Sequence, residues 1–214
     1  MRFHGYSPAA IAAVLAFAVS PSPASAAPVT AATLSGGSLN DAAYNIEMGF
    51  GFTPTADLRI TSLGMSDPFA NGNLGAVAKI GLYTQTGVEL KTLTVSAPDS
   101  YVESGFRFVD LASEIDLSAG IDYVVLAFYG EGASGLNLLP TASFDPLISN
   151  VHYTNTGPLP DLAWLGVRPG GLYDYAQFGA NFKFEAQAVP EPASWLLLAA
   201  AGGALALTRR RRAA

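Results

Sequence analysis

Between residues 46 and 185, several segments of this chain have apolar side chains at every second position, and helical spacing is hard to find. In one segment Met48, Phe50 and Phe52 alternate with small or acidic residues, and Pro54 ends the run. Successive side chains of a strand point to opposite faces, so this alternation places one set of side chains in a core. The pattern therefore predicts an all-β fold.

The clearest hairpin joins strands at 78–83 and 88–95 through a tight turn at Thr86-Gly87. Alternation of the same kind marks further candidate strands. These lie at 58–65, 106–111, 123–129, 151–154, 162–167 and 178–185. Their number predicts a single antiparallel β-sandwich, jelly-roll-like, with no linker or repeat to divide it.

One segment, 124–128, is a continuous apolar run, which is typical of a central strand covered on both faces. The stretch 130–160 is the least regular because four prolines interrupt it. Proline cannot donate to a sheet ladder, so this stretch is expected to hold long loops or an edge strand. The predicted domain extends over residues 27–188.

The first 26 residues have the three parts of a secretory signal peptide. Arg2 opens the segment, an apolar run covers 9–19, and Ala24-Ser25-Ala26 forms a small-residue cleavage site, so that the mature chain begins at Ala27. The alternative is a retained anchor, but the run is shorter than the ~20 residues needed to span the bilayer. Export is therefore predicted.

The last 26 residues, 189–214, also have three parts in a fixed order. Pro190-Glu191-Pro192 comes first, an apolar stretch follows at 193–207, and four arginines stand near the end: Arg209, Arg210, Arg211 and Arg212. Arginines resist translocation and stay cytoplasmic, while the apolar stretch stops in the bilayer. The two prolines keep the motif out of helix and strand, so it remains accessible outside the membrane.

This tail resembles the PEP-CTERM sorting signal of secreted bacterial proteins. The resemblance implies recognition of Pro190, Glu191 and Pro192 by a membrane-embedded processing enzyme, an exosortase, and retention by Arg209 to Arg212. It also implies a membrane-anchored precursor that ends at the cell surface or outside the cell. The alternative is an ordinary tail anchor, but such an anchor has no need of Pro-Glu-Pro.

Charge and composition exclude several classes of function. Residues 27–189 hold six basic and sixteen acidic residues, a net charge of −10. A domain this acidic cannot provide the basic surface that nucleic acid requires. Because the chain has no cysteine, disulfides, thiolate metal sites and cysteine nucleophiles are also excluded.

Candidates for catalysis are few. His152 is the only histidine after the signal peptide, and it has no evident orienting partner, so it is expected to be a surface or turn-proximal residue. Glu114 and Asp116 share one strand face, with Asp110 nearby, and are candidate Ca²⁺ ligands. Since no calcium-loop motif accompanies them, a solvated acidic face is the preferred interpretation.

Aromatic residues near turns could stack on sugar rings. Trp164, Tyr173 and Tyr175 are the candidate glycan contacts, with core packing as the alternative. The sequence thus predicts a non-enzymatic exported surface or matrix protein with no required cofactor, associating with exopolysaccharide. The alternative is a secreted glycan hydrolase that uses two carboxylates.

Overall fold

A computed structural model describes residues 27–36, 38–40, 45–67, 70, 72–133, 136–138, 141–156, 162 and 179–187. Every regular element within these residues is a β-strand, and every strand pairing is antiparallel. The strands are β1 (Val29–Thr30), β2 (Ala32–Ser35), β3 (Ser38–Asn40), β4 (Ile46–Pro54), β5 (Leu58–Ser66), β6 (Ala78–Thr84), β7 (Glu89–Thr94), β8 (Tyr101–Glu103), β9 (Phe106–Leu117), β10 (Tyr123–Tyr129), β11 (Leu136–Leu138), β12 (Thr141–Phe144), β13 (Ile148–Thr156) and β14 (Ala180–Ala186).

Ten of these strands form two five-stranded sheets. Sheet I has the order β1-β14-β5-β9-β8, and sheet II has the order β13-β4-β10-β6-β7. Without β8 and β13, the two sheets contain β1, β4, β5, β6, β7, β9, β10 and β14. If these eight strands are numbered 1 to 8 along the chain, their order is 1-8-3-6 in sheet I and 2-7-4-5 in sheet II. This is the strand order of a jelly roll. The predicted all-β, jelly-roll-like sandwich is confirmed.

The core lies between the two sheets and is rich in phenylalanine. Phe50 and Phe52 of β4 in sheet II pack against Phe182 of β14 in sheet I, with ring centroids 6.2 and 4.8 Å from Phe182. All three are fully buried. Buried aromatic pairs stabilise a fold beyond the area they bury, so these rings hold the two sheets together.

Strand β10 occupies the middle of sheet II, as its continuous apolar run predicted. All seven of its residues are buried. Val125 and Ala127 belong to the main core, whereas Val124 and Leu126 form a smaller cluster with Tyr83. Leu162 packs against this second cluster. The strand is therefore covered on both faces.

The predicted hairpin is also confirmed. Strands β6 and β7 pair along their length, and the turn between them is closed by Thr84 N donating to Val88 O over 2.9 Å. The irregular stretch 130–160 contains an edge strand, β13, as expected, beside the short β11 and β12. Strand β9 extends to Leu117, six residues beyond its predicted end.

Several predictions fall on residues that the structure does not describe. They are the signal peptide, the sorting tail, and the strand at 162–167, of which only Leu162 is described and lies outside any strand. In the described part of the chain, no helix has the length and hydrophobicity needed to cross a membrane.

Candidate functional site

The predicted functional residues are concentrated outside the described part of the chain. Only Ala27 of the cleavage site is described, and it is exposed, two residues before β1. The others lie outside the described residues: Ala24, Ala26, Trp164, Tyr173, Tyr175, Pro190, Glu191, Pro192, Arg209, Arg210, Arg211 and Arg212. The structure nevertheless describes the residues that lead into the tail.

Gln187, the last described residue, forms hydrogen bonds at the start of β5 and near the end of β9. Its main-chain N donates to Asp57 O over 2.9 Å, and its Nε2 donates to Asp116 Oδ1 over 2.6 Å and to Leu58 O over 3.5 Å. Asp57 Oδ1 in turn accepts from Ala119 N over 2.8 Å. Asp57, Asp116, Ala119 and Gln187 define what is called here the exit end of the sandwich.

The start of the domain lies at the same end. Strand β1 runs antiparallel to β14, with Val29 opposite Phe184 and Thr30 opposite Lys183. Continuing this register brings Ala27 beside the last residues of β14. Both ends of the predicted mature domain therefore emerge at the exit end.

A cluster around the exposed ring of Tyr101 lies on sheet I, above the buried ring of Phe108. We call Tyr101, Glu103, Phe108, Asp110 and Lys183 the Tyr101 cluster. The Lys183 ammonium lies 4.8 Å from the Tyr101 ring centroid and 5.0 Å from that of Phe108, and it donates to Glu103 Oε2 over 2.5 Å. Tyr101 OH donates to Asp110 Oδ1 over 3.0 Å. Tyr101 remains 38% exposed, so the cluster is a shallow aromatic patch with polar groups around it.

The cluster favours the charged form of Lys183. Burial opposes the charge, but the hydrogen bonds to Glu103 and Tyr101 outweigh this effect and raise the pKa of Lys183 above its ordinary value. The positive charge over two aromatic rings adds a cation–π attraction. The cluster therefore keeps a fixed cation beside an accessible ring.

The carboxylates predicted as Ca²⁺ ligands contact an arginine. Arg59 Nε lies 3.2 Å from Asp116 Oδ1 and 3.3 Å from Glu114 Oε2. Hydrogen bonding and charge from Asp116, followed by the charge of Glu114, raise the pKa of Arg59. Asp110 lies apart from this pair and accepts from Ser62 Oγ over 2.7 Å. Among the described residues, no group of three or more His, Asp or Glu side chains is placed to hold a metal ion.

His152 lies beside a β-bulge of strand β13, where the pairing with β4 shifts between Ser149 and His152. Its Nδ1 is 3.1 Å from Asn150 O. Its half-buried ring covers Gly51, where a Cβ would stand 2.2 Å from Nε2. His152 is thus a half-buried residue within β13, beside a bulge rather than a turn. Its ring packs on the sheet, and Gly51 is the residue that makes room for it.

At the opposite end of the sandwich, which we call the far end, buried polar groups connect the ends of the strands. Tyr129 OH donates to Gly179 O over 2.6 Å and to Ser66 O over 3.3 Å. Because Tyr129 is fully buried, desolvation strongly raises its pKa. Arg107 donates from Nε to Asp67 Oδ2 over 2.8 Å, and both side chains are buried.

The sequence did not point to Gln187, and of the Tyr101 cluster it pointed only to Asp110. Gln187 gives no local signal, because its partners are far along the chain. A signal for the cluster did exist at the Ser104-Gly105 turn, where both residues have positive φ, 52° and 79°. Such a two-residue turn favours a hairpin, and it places Tyr101 on the strand before it.

Comparison with known proteins bears on the tail. Residues 188–212 match the PEP-CTERM protein-sorting motif. No curated protein matches the chain significantly. The motif begins at the residue that follows Gln187.

Proposed function

We propose that this chain is a non-catalytic surface or extracellular-matrix protein that an exosortase-type enzyme processes at its tail. The observation that carries the proposal is the PEP-CTERM motif at residues 188–212. This motif implies an exported protein that is anchored transiently in the membrane before processing. In the proposal, Pro190, Glu191 and Pro192 are recognised, and the arginines hold the segment in place.

The proposal extends to association of the sandwich with exopolysaccharide. Its support is the exposed ring of Tyr101 beside Lys183 and Asp110, since a flat ring with polar neighbours suits the apolar and hydroxyl faces of a sugar. Trp164, Tyr173 and Tyr175 remain the contacts proposed from sequence. The expected binding is weak and shallow.

The contacts of the acidic residues also favour a non-catalytic role. Hydrolysis of a glycoside needs two carboxylates that are available to the substrate. Asp116 and Glu114 face Arg59, and Asp67 is paired with Arg107. All three acids are engaged in ion pairs, Asp67 away from water and the other two at the surface, and the proposed function needs no cofactor.

The test separates recognition from retention in a host that contains the processing enzyme. Glu191→Ala and Pro192→Ala should leave the precursor inserted but uncleaved, because the apolar stretch and the arginines are intact. Ser194→Ala is the matched control and should be processed normally. The membrane and medium fractions are compared, and the C-terminal peptide is followed by mass spectrometry.

A second arm replaces Arg209 to Arg212 by serine. Without the cytoplasmic charges, the short stretch should fail to stop in the membrane, and uncleaved protein should appear in the medium. Normal processing of the Glu191 and Pro192 variants would instead identify an ordinary anchor and refute the proposal.

A further inference from the structure

We infer that the exit end of the sandwich docks against the extracytoplasmic surface of the processing enzyme while the tail is cleaved. The inference rests on the proposed function. It adds that the enzyme contacts a surface of the folded domain as well as the Pro-Glu-Pro motif. The partner is the membrane-embedded enzyme that accepts Pro190-Glu191-Pro192. The short chain before the motif, the contacts of Gln187 and the charge of the exit end all favour this docking.

The chain between the sandwich and the motif is very short. Only Ala188 and Val189 separate Gln187 from Pro190. Since an extended chain spans at most ~3.6 Å per residue, Pro190 lies within about 11 Å of Gln187, and the apolar stretch begins within about 22 Å of it. An enzyme that binds the motif therefore lies within about 11 Å of Gln187 at the exit end.

The pairing of β14 limits how far the chain can lengthen, and the contacts of Gln187 hold the end of this strand to the sandwich. Its main-chain bond to Asp57 and its side-chain bond to Asp116 hold it to the ends of β4–β5 and β9. Asp57 is itself bonded to Ala119. To lengthen the connection, the sandwich would have to break these bonds and then release β14, which fills the position between β1 and β5. The exit end consequently stays close to the motif.

The charge of this end suits a protein surface better than a lipid surface. Asp57 and Asp116, which bond to Gln187, are exposed, and Asp122 is exposed just before β10. Glu114 shares the contact of Asp116 with Arg59, the basic neighbour of this pair. Anionic headgroups would repel these carboxylates, whereas backbone N–H groups or basic side chains of an enzyme could bind them. The turn at 118–120 is exposed and is therefore accessible for contact.

The absence of cysteine allows a clean proximity test. Ala119→Cys places a thiol at the exit end, and Ala76→Cys places one in an exposed turn at the far end, where Ala76 N bonds to Glu131 O. Each full-length precursor is labelled with a thiol-reactive photo-cross-linker on spheroplasts that contain the enzyme. We expect about ten-fold more precursor–enzyme adduct from Ala119→Cys than from Ala76→Cys.

A third variant tests the role of the short connection. Twelve Gly and Ser residues inserted between Gln187 and Ala188 should reduce the Ala119→Cys adduct to the level of Ala76→Cys, while the motif is still cleaved. Folding of each variant is checked by its far-ultraviolet spectrum.

The outcomes distinguish this inference from the proposed function. Motif-dependent cleavage with equal adducts from the two cysteines would overturn the docking surface and leave the processing proposal standing. The same holds if the insertion leaves the Ala119→Cys adduct unchanged, because the connection would then not determine the contact. Normal cleavage of the Glu191 and Pro192 variants would contradict both the docking surface and the processing proposal.

Discussion

Polar contacts hold strands together at both ends of the sandwich, but the contacts at the two ends differ in their exposure to water. At the far end, Tyr129 is fully buried, and Arg107 and Asp67 have exposed side-chain fractions of 7% and 2%. At the exit end, the ion pair between Arg59 and Asp116 has exposed fractions of 42% and 66%. Both ends connect strands that are distant in sequence, but only the far end does so away from water.

This difference predicts where the stability of the domain resides. A buried polar group that loses its partner costs several kcal/mol, whereas an exposed ion pair contributes little because water screens it. The far end should therefore determine global unfolding. The exit end, from which the tail leaves, should tolerate change.

The largest effect is expected at the buried ion pair. Arg107→Met should lower the free energy of unfolding by about 3–5 kcal/mol, because Asp67 stays buried without its charged partner. Arg107→Lys should fall between this variant and the wild type, since lysine keeps the charge but loses the planar fork. Urea unfolding of residues 27–187 measures both. A loss under ~1 kcal/mol for Arg107→Met would contradict the assigned importance of the far end.

A smaller effect is expected at the buried tyrosine. Tyr129→Phe keeps the ring but removes the hydroxyl that bonds to Gly179 O and Ser66 O. The expected cost is about 1–3 kcal/mol, the range for leaving buried groups unsatisfied. The same urea titration measures it. An unchanged midpoint would show that these carbonyls are satisfied without the hydroxyl.

The pH dependence of the free energy of unfolding is a further measure of the contribution of the far end. The pKa of Tyr129 is raised by folding from an ordinary value of 10.0, so its contribution to stability is complete below pH 10 and declines as the pH rises further. The expected decline is about 1 kcal/mol between pH 10 and 11 and approaches about 1.4 kcal/mol per pH unit above that. Lys183, whose pKa is also raised, adds a decline in the same direction. Tyr129→Phe should show the shallower slope between pH 10 and 11, and parallel slopes would exclude Tyr129 as the source.

The smallest effect is expected at the exit end. Arg59→Met removes the exposed partner of Glu114 and Asp116 and is the counterpart of Arg107→Met. Its urea midpoint should agree with that of the wild type within error, because both ends of each ion pair are solvated. A destabilisation as large as that of Arg107→Met would remove the distinction between the two ends.

Sequence alone predicts the strands that alternate or are wholly apolar. The run at 124–128 identified β10 and its central position, and Thr86-Gly87 identified the β6–β7 hairpin. The strand β8 was not predicted because all three of its residues are exposed, which leaves no buried face for alternation to mark. Strands β1, β2, β3, β11 and β12 have two to four residues each, too few for a period to emerge.

The polar contacts at the two ends could not be predicted at all. Arg107 and Asp67 are 40 residues apart, and Gln187 and Asp116 are 71 apart. Such pairs form only because the strand order brings their elements together, and side-chain periodicity contains no information on that order. The candidate tail, in contrast, was evident because its three parts are contiguous in sequence.

The position of β14 also has a consequence for the timing of folding. This is the last strand within the described residues, but it lies between β1 and β5, and it contributes Phe182 and Phe184 to the core. Until residues 180–186 have been synthesised and exported, sheet I lacks an inner strand and the aromatic core stays open to water. Since pairing between distant strands is also slow, folding of the sandwich should finish only after the whole of β14 is available. For a chain that enters the membrane N-terminus first, this is about the moment when the tail reaches the bilayer.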